Sequence, residues 1–249
     1  MSLTVDTPLG ATRLARYHPL AKMGAAVVVA AGLLVSVDLV TATVVLVLEV
    51  VCLPWTGVGW RFLARRAWPL PLAAGGVAVA NLVASNAHGV VVGALSVRLV
   101  AIALPGLLAF AATDPVDLAD AVHQQLRVPA RFAYGSLAAL RLLPLLSVEW
   151  QVIRRARRAR GIDAGRSHLG AARLFTSTVF GLLVSAIRRA TRLASAMESR
   201  GFDAGGPRTV ARRQVFRPGD WALLAGAVVA VGGANALAVV LGTWHPLFW

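Results

Sequence analysis

Cysteine is almost absent. Cys52 is the only one and sits inside an apolar run, so neither a disulfide framework nor a Cys-rich metal site is available, and its role is packing. Charge is scarce too: 14% of residues are charged against 57% hydrophobic, with a mean hydropathy of +0.70. A soluble domain carries about 25% charged residues, so this chain belongs in a bilayer. Acid is the scarcer sign, 11 residues against 25 basic ones for a formal net charge of +14. Arg interleaved with long apolar runs fits a membrane protein with a large basic cytoplasmic face and not a nucleic-acid binder. No G-x-x-x-x-G-K-[ST] loop occurs, so ATP hydrolysis is not expected of this chain. His18, His88, His123, His168 and His245 are scattered without ligand spacing, so no metal site is expected. The start, MSLTVDTPLGATRLARYH, is polar and basic but has no small-residue cleavage site at the right distance from the apolar run, so the first apolar helix is expected to be retained.

What is present begins with two apolar runs, 20–37 and 39–58, each about long enough to span a bilayer, where roughly 20 apolar residues are needed. Asp38 marks the turn between them. Arg13, Arg16 and Lys22 precede this hairpin and Arg61, Arg65 and Arg66 follow it, so the positive-inside rule puts both ends, and the N-terminus, in the cytoplasm. A third span, 67–84, leads to the polar Ser85-Asn86-Ala87-His88, and a fourth, 89–112, returns to Thr113-Asp114-Pro115. A last span, 219–243, follows Arg208, Arg212, Arg213 and Arg217, and ends in Trp244-His245-Pro246-Leu247-Phe248-Trp249, aromatics suited to an outer interface.

Between 114 and 217 the pattern changes. This segment holds 18 of the 25 basic residues and 7 of the 11 acidic ones, a net +11. Arg127, Arg131, Arg141, the cluster Arg154 to Arg160, Arg166, Arg173, Arg188, Arg189 and Arg192 leave no uncharged outer end for a helix pair crossing the bilayer. Each Arg at the bilayer centre costs about 2.5–3.5 kcal/mol even on the lenient insertion scale. The expected fold is therefore an all-α polytopic membrane protein with about five transmembrane helices plus long crossing amphipathic helices partly sunk in the cytoplasmic interface. Its parts are a membrane domain of four helices over 1–113, a cytoplasmic domain over 114–217, and a C-terminal transmembrane helix over 218–249, multi-pass in the cell membrane.

Helical phase supports the amphipathic reading. Leu183, Ile187, Ala190, Ala194 and Met197 fall on one face, with Arg188, Arg192 and Ser199 on another. Ala186, Ala190 and Ala194 recur every four residues, which lets a second helix cross closely. Upstream, Leu145, Val152, Ile153, Ala156 and Ala159 share a face flanked by Arg154, Arg155, Arg157 and Arg158, and Pro144 is expected to kink that helix. Asp114, Asp117 and Asp120 read as a solvated acidic first turn rather than a cation site.

Each amphipathic helix ends in nearly the same word: Ala159-Arg160-Gly161-Ile162-Asp163-Ala164-Gly165, and Ser199-Arg200-Gly201-Phe202-Asp203-Ala204-Gly205. Gly161 and Gly201 stand where a helix end wants left-handed backbone angles. Arg160 and Arg200 are then presented at helix tips, and Asp163 and Asp203 are placed to cap or bond free turn donors. The bland reading is that each Arg only neutralises its own helix end, worth about 0.3–1 kcal/mol. The duplication favours two pegs for two similar acidic sockets, since a guanidinium binds carboxylate in a bidentate fork.

These stretches resemble the transmembrane T component of energy-coupling factor (ECF) transporters, the family that includes the cobalt-permease subunit. Tyr17-His18-Pro19-Leu20-Ala21-Lys22 is similar to its H-P-x-x-K, Thr113 to Ala121 to its T-x-P-x-x-L-x-x-A-L, and Arg141 to Glu149 to its R-x-x-P-x-L-x-x-E; the resemblance covers roughly 14–205 and is strongest from 104 onward. It implies a non-catalytic subunit whose 114–217 segment is a coupling domain of an importer for a vitamin or transition metal. The implied partners are two cytoplasmic ATP-binding-cassette ATPases, identical or different, and a small membrane-embedded substrate-binding S component. The implied docking residues are Arg160 and Arg200, with Ala159, Gly161, Ser199 and Gly201 beside them; Ser199 departs from the family's Ala. Pro144 becomes a coupling-helix kink, and Leu183, Ile187, Ala190, Ala194 and Met197 face the S component. No cofactor is implied for this chain, with ATP and Mg on the partner ATPases. The alternative is a self-contained secondary transporter or channel, with Glu49 and Arg98 pairing or lining a path near the midplane; the missing inverted repeat of spans argues against it. A third reading, an interfacial scaffold for anionic lipid or nucleic acid, leaves the repeated Gly and Asp unexplained.

Overall fold

Capping residues divide the apolar runs into helices. Asp38 ends the first hairpin arm and starts the second, its Oδ2 accepting the Thr41 backbone N–H at 2.6 Å, which satisfies one of the donors a helix start leaves free. The structure, a computed structural model, describes residues 12–36, 38–85, 89–162, 167–202, 210 and 212–244. Over these it is built from helices: α1 (Pro19–Val35), α2 (Leu39–Thr56), α3 (Trp60–Ala67), α4 (Pro69–Ser85), α5 (Gly89–Ala111), α6 (Pro115–Gln125), α7 (Ala130–Ala159), α8 (His168–Ser199) and α9 (Pro218–Val240). The all-α expectation holds. The expected runs 20–37, 39–58, 67–84, 89–112 and 219–243 appear as α1, α2, α4, α5 and α9.

Length and apolarity single out a different set of five. An 18-residue stretch apolar enough to cross a membrane occurs in α2, in Val92–Ala111 of α5, and in α7, α8 and α9, while α1 is a shorter apolar helix. The hydropathy of α7 and α8, 1.3 and 1.5, is below the 2.0 to 2.1 of the other three. Most arginines of α7 gather at its C-terminal end, Arg154 to Arg158, and Arg188, Arg189 and Arg192 fall in the second half of α8.

The chain divides into two compact units, one holding Val122–Arg213 and the other Val5–Ala121 with Gln214–Trp249. In the second unit α1 packs on α9 and α5, α2 on α5 and α9, and α4 on α5. Its core joins Val29 and Leu33 of α1, Ala42 and Val45 of α2, Ala101 of α5, and Val231 and Ala234 of α9. A second cluster, Leu53, Leu63, Leu104 and Leu108, seats the short α3. Small residues set the α1–α9 spacing: a Cβ on Gly32 would lie 1.9 Å from Val231 Cγ1, and one on Gly24 3.1 Å from Leu224 Cδ2. Membrane helices gain packing where small residues let backbones approach. Gly32→Leu is therefore expected to cost about 1–3 kcal/mol through overpacking, read as a lower melting temperature in detergent. Gly226→Leu, at a position with nothing within 4 Å, serves as the control and should leave it unchanged.

In the first unit α7 packs on α8. Helix α7 runs unbroken through Pro144, and the Ser147 hydroxyl donates to Pro144 O at 2.6 Å.

Candidate functional site

The two copies of Arg-Gly-apolar fold into the same turn. At the end of α7, Gly161 N–H donates to Arg158 O at 3.0 Å and Ile162 N–H to Arg157 O at 3.0 Å; at the end of α8, Gly201 N–H donates to Glu198 O at 2.9 Å and Phe202 N–H to Met197 O at 3.0 Å. Both are Schellman motifs, in which crossed bonds close the last turn. Gly161 and Gly201 carry the left-handed angles this requires, φ +71° and +74°, where a side chain is strained. The preceding arginines adopt matching backbones, φ −92°, ψ 10° for Arg160 and φ −90°, ψ 9° for Arg200. The word is therefore a folding unit whose third, apolar residue donates the outer bond. Residues 163–166 and 203–209, with Asp163 and Asp203, lie outside the described residues.

Ala159, Arg160, Gly161, Ser199, Arg200 and Gly201 are all exposed. The Ser199 hydroxyl donates to Ala196 O at 3.0 Å, so it is turned back into its own helix and leaves a small surface like that of Ala.

The helices that carry the tips run antiparallel, held by two polar clamps. Glu149 accepts from the Ser185 hydroxyl and, at 3.2 Å, from Arg189 Nη2. Arg157, two turns on, donates to Thr178 Oγ1 at 3.0 Å, Leu174 O at 3.3 Å and Ser177 O at 3.1 Å. Trp150 meets Phe175 edge-on at 5.5 Å, and Tyr134 meets Phe202 at 6.3 Å. This register sets Arg160 level with about residue 175 of α8, so some 25 residues, on the order of 35 Å at 1.5 Å per residue, separate the tips along the pair. Arg157→Ala is expected to loosen the pair by about 1–2 kcal/mol, since hydrogen bonds from a charged group are worth ~1.5–3 kcal/mol and this one is partly solvated. Faster hydrogen exchange confined to α7 and α8 would register it.

The bonds from α7 fall on the Leu174–Thr178–Ser185–Arg189 side of α8 and not on the alanine stripe: Ala190 and Ala194 are exposed. Leu183 and Ile187 are exposed as well, and Met197 is half-buried. On α7 the apolar face expected from periodicity is uncovered at Leu145, Val152, Ala156 and Ala159. Both helices thus present apolar surface that nothing in this unit covers.

In the other unit, the H-P-x-x-K residues form a clamp. Lys22, 4% exposed, donates from Nζ to Ala112 O at 2.7 Å, closing the end of α5. His18 caps α1, its Nδ1 accepting the Leu20 N–H at 3.2 Å, and stacks on Phe216 at 4.3 Å. Asp220, 3% exposed, completes it: Oδ1 accepts the His18 N–H and Oδ2 the Arg217 N–H, each at 2.7 Å. One carboxylate therefore serves the starts of both α1 and α9. Sequence reasoning missed Asp220, although Pro218-Gly219-Asp220 after Arg217 has the look of a helix start, with Pro first and an acid in the first turn. Burial holds the His18 imidazole below its ordinary pKa, with Asp220 opposing and Lys22 adding to that shift. A neutral His18 favours the fold; that contribution is full above the ordinary imidazole range and is lost as pH falls through the lowered value. Melting temperature is expected to fall as pH drops from about 8 to about 5, and to do so less steeply in His18→Asn.

Glu49 and Arg98 do not pair. Both Glu49 carboxylate oxygens are buried without a hydrogen-bond partner, as is Arg98 Nη2. Asp114 starts α6, accepting the Val116 N–H at 2.7 Å, and Asp117 accepts from Gln214 at 3.4 Å.

Over residues 14–210 the chain matches the family described as CbiQ, Cobalt transport protein. It is 35% identical over 144 residues to the energy-coupling factor transporter transmembrane protein EcfT of Lacticaseibacillus paracasei, covering 55% of this chain and 54% of that one. The protein EcfT 1 of Listeria monocytogenes is 38% identical over 116 residues, 43% of this chain and 44% of that one. For EcfT of Bacillus subtilis the identity is 31% over 143 residues, 54% of each. The chain spans about half the length of the curated relatives it matches. The family match takes in His18, Lys22 and both Arg-Gly tips, and on it the chain belongs to the CbiQ family of cobalt transport proteins.

Proposed function

We propose that this chain is the transmembrane coupling subunit, the T component, of an ECF-type importer for a vitamin or a transition metal. The observation that carries the reading is the pair of matching Schellman tips, each presenting an exposed Arg, at opposite ends of one antiparallel helix pair. Two like contacts far apart suit two like sockets on an ATPase dimer, and an exposed guanidinium suits a carboxylate there. The relatives named as energy-coupling factor transporter transmembrane proteins support the class.

In this reading α7 and α8 lie along the cytoplasmic interface, with the N-terminus cytoplasmic. The α8 positions Leu183, Ile187, Ala190, Ala194 and the half-buried Met197 carry a membrane-embedded S component, and Pro144 gives α7 a bend. ATP and Mg act on the partner ATPases; closing of those ATPases shifts Arg160 and Arg200, the pair tilts or slides, and the S component is toppled or released. Co-expression with candidate cassette ATPases and a candidate small membrane S component tests it. A complex holding all components, with ATP-dependent uptake in vesicles, is the expected result. Gradient-driven flux through vesicles holding this chain alone would instead mark a self-contained transporter.

A further inference from the structure

A cleft of about 250 Å³ opens between α7 and α8 beside the first Arg-Gly tip. Three arginines line it, Arg154, Arg157 and Arg158, together with Trp150, Phe175 and Thr178. Among the described residues its lining holds no carboxylate. Arg157 is locked there by three bonds to neutral oxygens, Thr178 Oγ1 and the carbonyls of Leu174 and Ser177. Its charge is therefore oriented but not cancelled, and two of the five guanidinium donors stay available. Glu149, next to Trp150 on α7, is already engaged by Ser185 and Arg189. Arg154 and Arg158 are exposed and bond to nothing among the described residues. Three like charges gathered against an aromatic wall repel one another more strongly than in open water, and an anion relieves that repulsion.

We propose that this cleft binds the phosphodiester of an anionic phospholipid. Guanidinium forks match phosphate oxygens in number and geometry. The space is small beside pockets for drug-sized ligands, ~300–1,000 Å³, yet ample for a phosphate and the few atoms on either side of it. The rim decides between a free anion and a lipid. Ile162 and Phe175, which line the cleft, are 50% and 59% exposed. A free phosphate has no use for that apolar margin, whereas acyl chains lie along it. A lipid held there would fix the first tip at the membrane surface through the helix that carries Arg160.

The test uses the full chain in neutral detergent, stripped of lipid and examined by native mass spectrometry with added phosphatidylglycerol or phosphatidylcholine. One phosphatidylglycerol is retained in preference to phosphatidylcholine, and Arg154→Gln with Arg158→Gln lowers its retention at least about fivefold, the order expected for loss of cationic contacts at a membrane surface. Arg61→Gln with Arg65→Gln, which removes equal charge from α3, leaves it unchanged. Phosphatidylglycerol with brominated chains quenches wild-type fluorescence more than that of Trp150→Phe. Equal retention of the two lipids, or equal losses from both arginine pairs, overturns the proposal. Displacement by millimolar inorganic phosphate marks a free-anion site and overturns the lipid assignment. No ATPase is present, so the result is independent of the docking role of Arg160 and Arg200.

Discussion

Arg160→Glu combined with Arg200→Glu is expected to lower copurification of the partner ATPases at least about tenfold, with transport falling in parallel, while the chain itself stays as stable as wild type. The fold has no stake in either side chain: both are exposed, and neither guanidinium bonds to any described residue. The loss must therefore arise at the partner. Breaking one half of a desolvated charge pair at an interface costs about 2–5 kcal/mol, and tenfold, ~1.4 kcal/mol, is the smallest change that would support docking. Each single reversal should leave a complex tethered by the other tip, of intermediate yield. Gly161→Val separates charge from shape. It keeps Arg160 but forces a β-branched residue to φ +71°, at a cost of roughly 1–2 kcal/mol, so the Schellman turn opens and the Arg is presented differently. Wild-type yield from the double reversal would remove the docking role from both arginines; wild-type yield from Gly161→Val alone would show that charge suffices without the turn.

Asp220→Ala is expected to be the most destabilising substitution in the unit that contains α1 and α9. It strands two backbone donors, the His18 and Arg217 N–H groups, at a site 3% exposed. Each unsatisfied buried donor costs about 1–3 kcal/mol, so a loss on the order of 2–5 kcal/mol follows, read as a large fall in melting temperature in detergent. Asp220→Asn keeps a single acceptor oxygen and should lose about half as much. Fast amide exchange at the start of both α1 and α9 would accompany the loss; exchange confined to α9 would show that the contact across 202 residues of chain carries little energy.

Local chemistry was legible in the sequence. Gly161 and Gly201 stop helices, Asp38 marks a turn, and the apolar runs mark where helices stand, because each of these depends on neighbours a few residues away. The pairing of helices was not. Periodicity found the apolar face of α7 at Leu145, Val152 and Ala156, yet the contact with α8 is made by Glu149, Trp150 and Arg157, on a mixed polar and aromatic face that leaves no simple hydrophobic period to detect. The alanine stripe of α8 satisfied a rule for close packing and is left exposed at Ala190 and Ala194, since α7 takes another side. Glu49 and Arg98, rare ions in apolar helices, left pairing and lining a path both open; the structure leaves both Glu49 carboxylate oxygens and Arg98 Nη2 without a hydrogen-bond partner. Asp220 shows the same limit, its local cap visible and its bond to His18 hidden by distance along the chain.

The antiparallel register of α7 and α8 makes the two tips the ends of one strut. An α-helix does not lengthen or shorten without breaking its own ladder of bonds, and Glu149 and Arg157 oppose slip between the two helices. If, as proposed, Arg160 and Arg200 dock in ATPase sockets and those sockets move toward each other, the strut has no axial give with which to follow. The motion must then be converted into torque about the middle of the pair, where the exposed Leu183 and Ile187 lie.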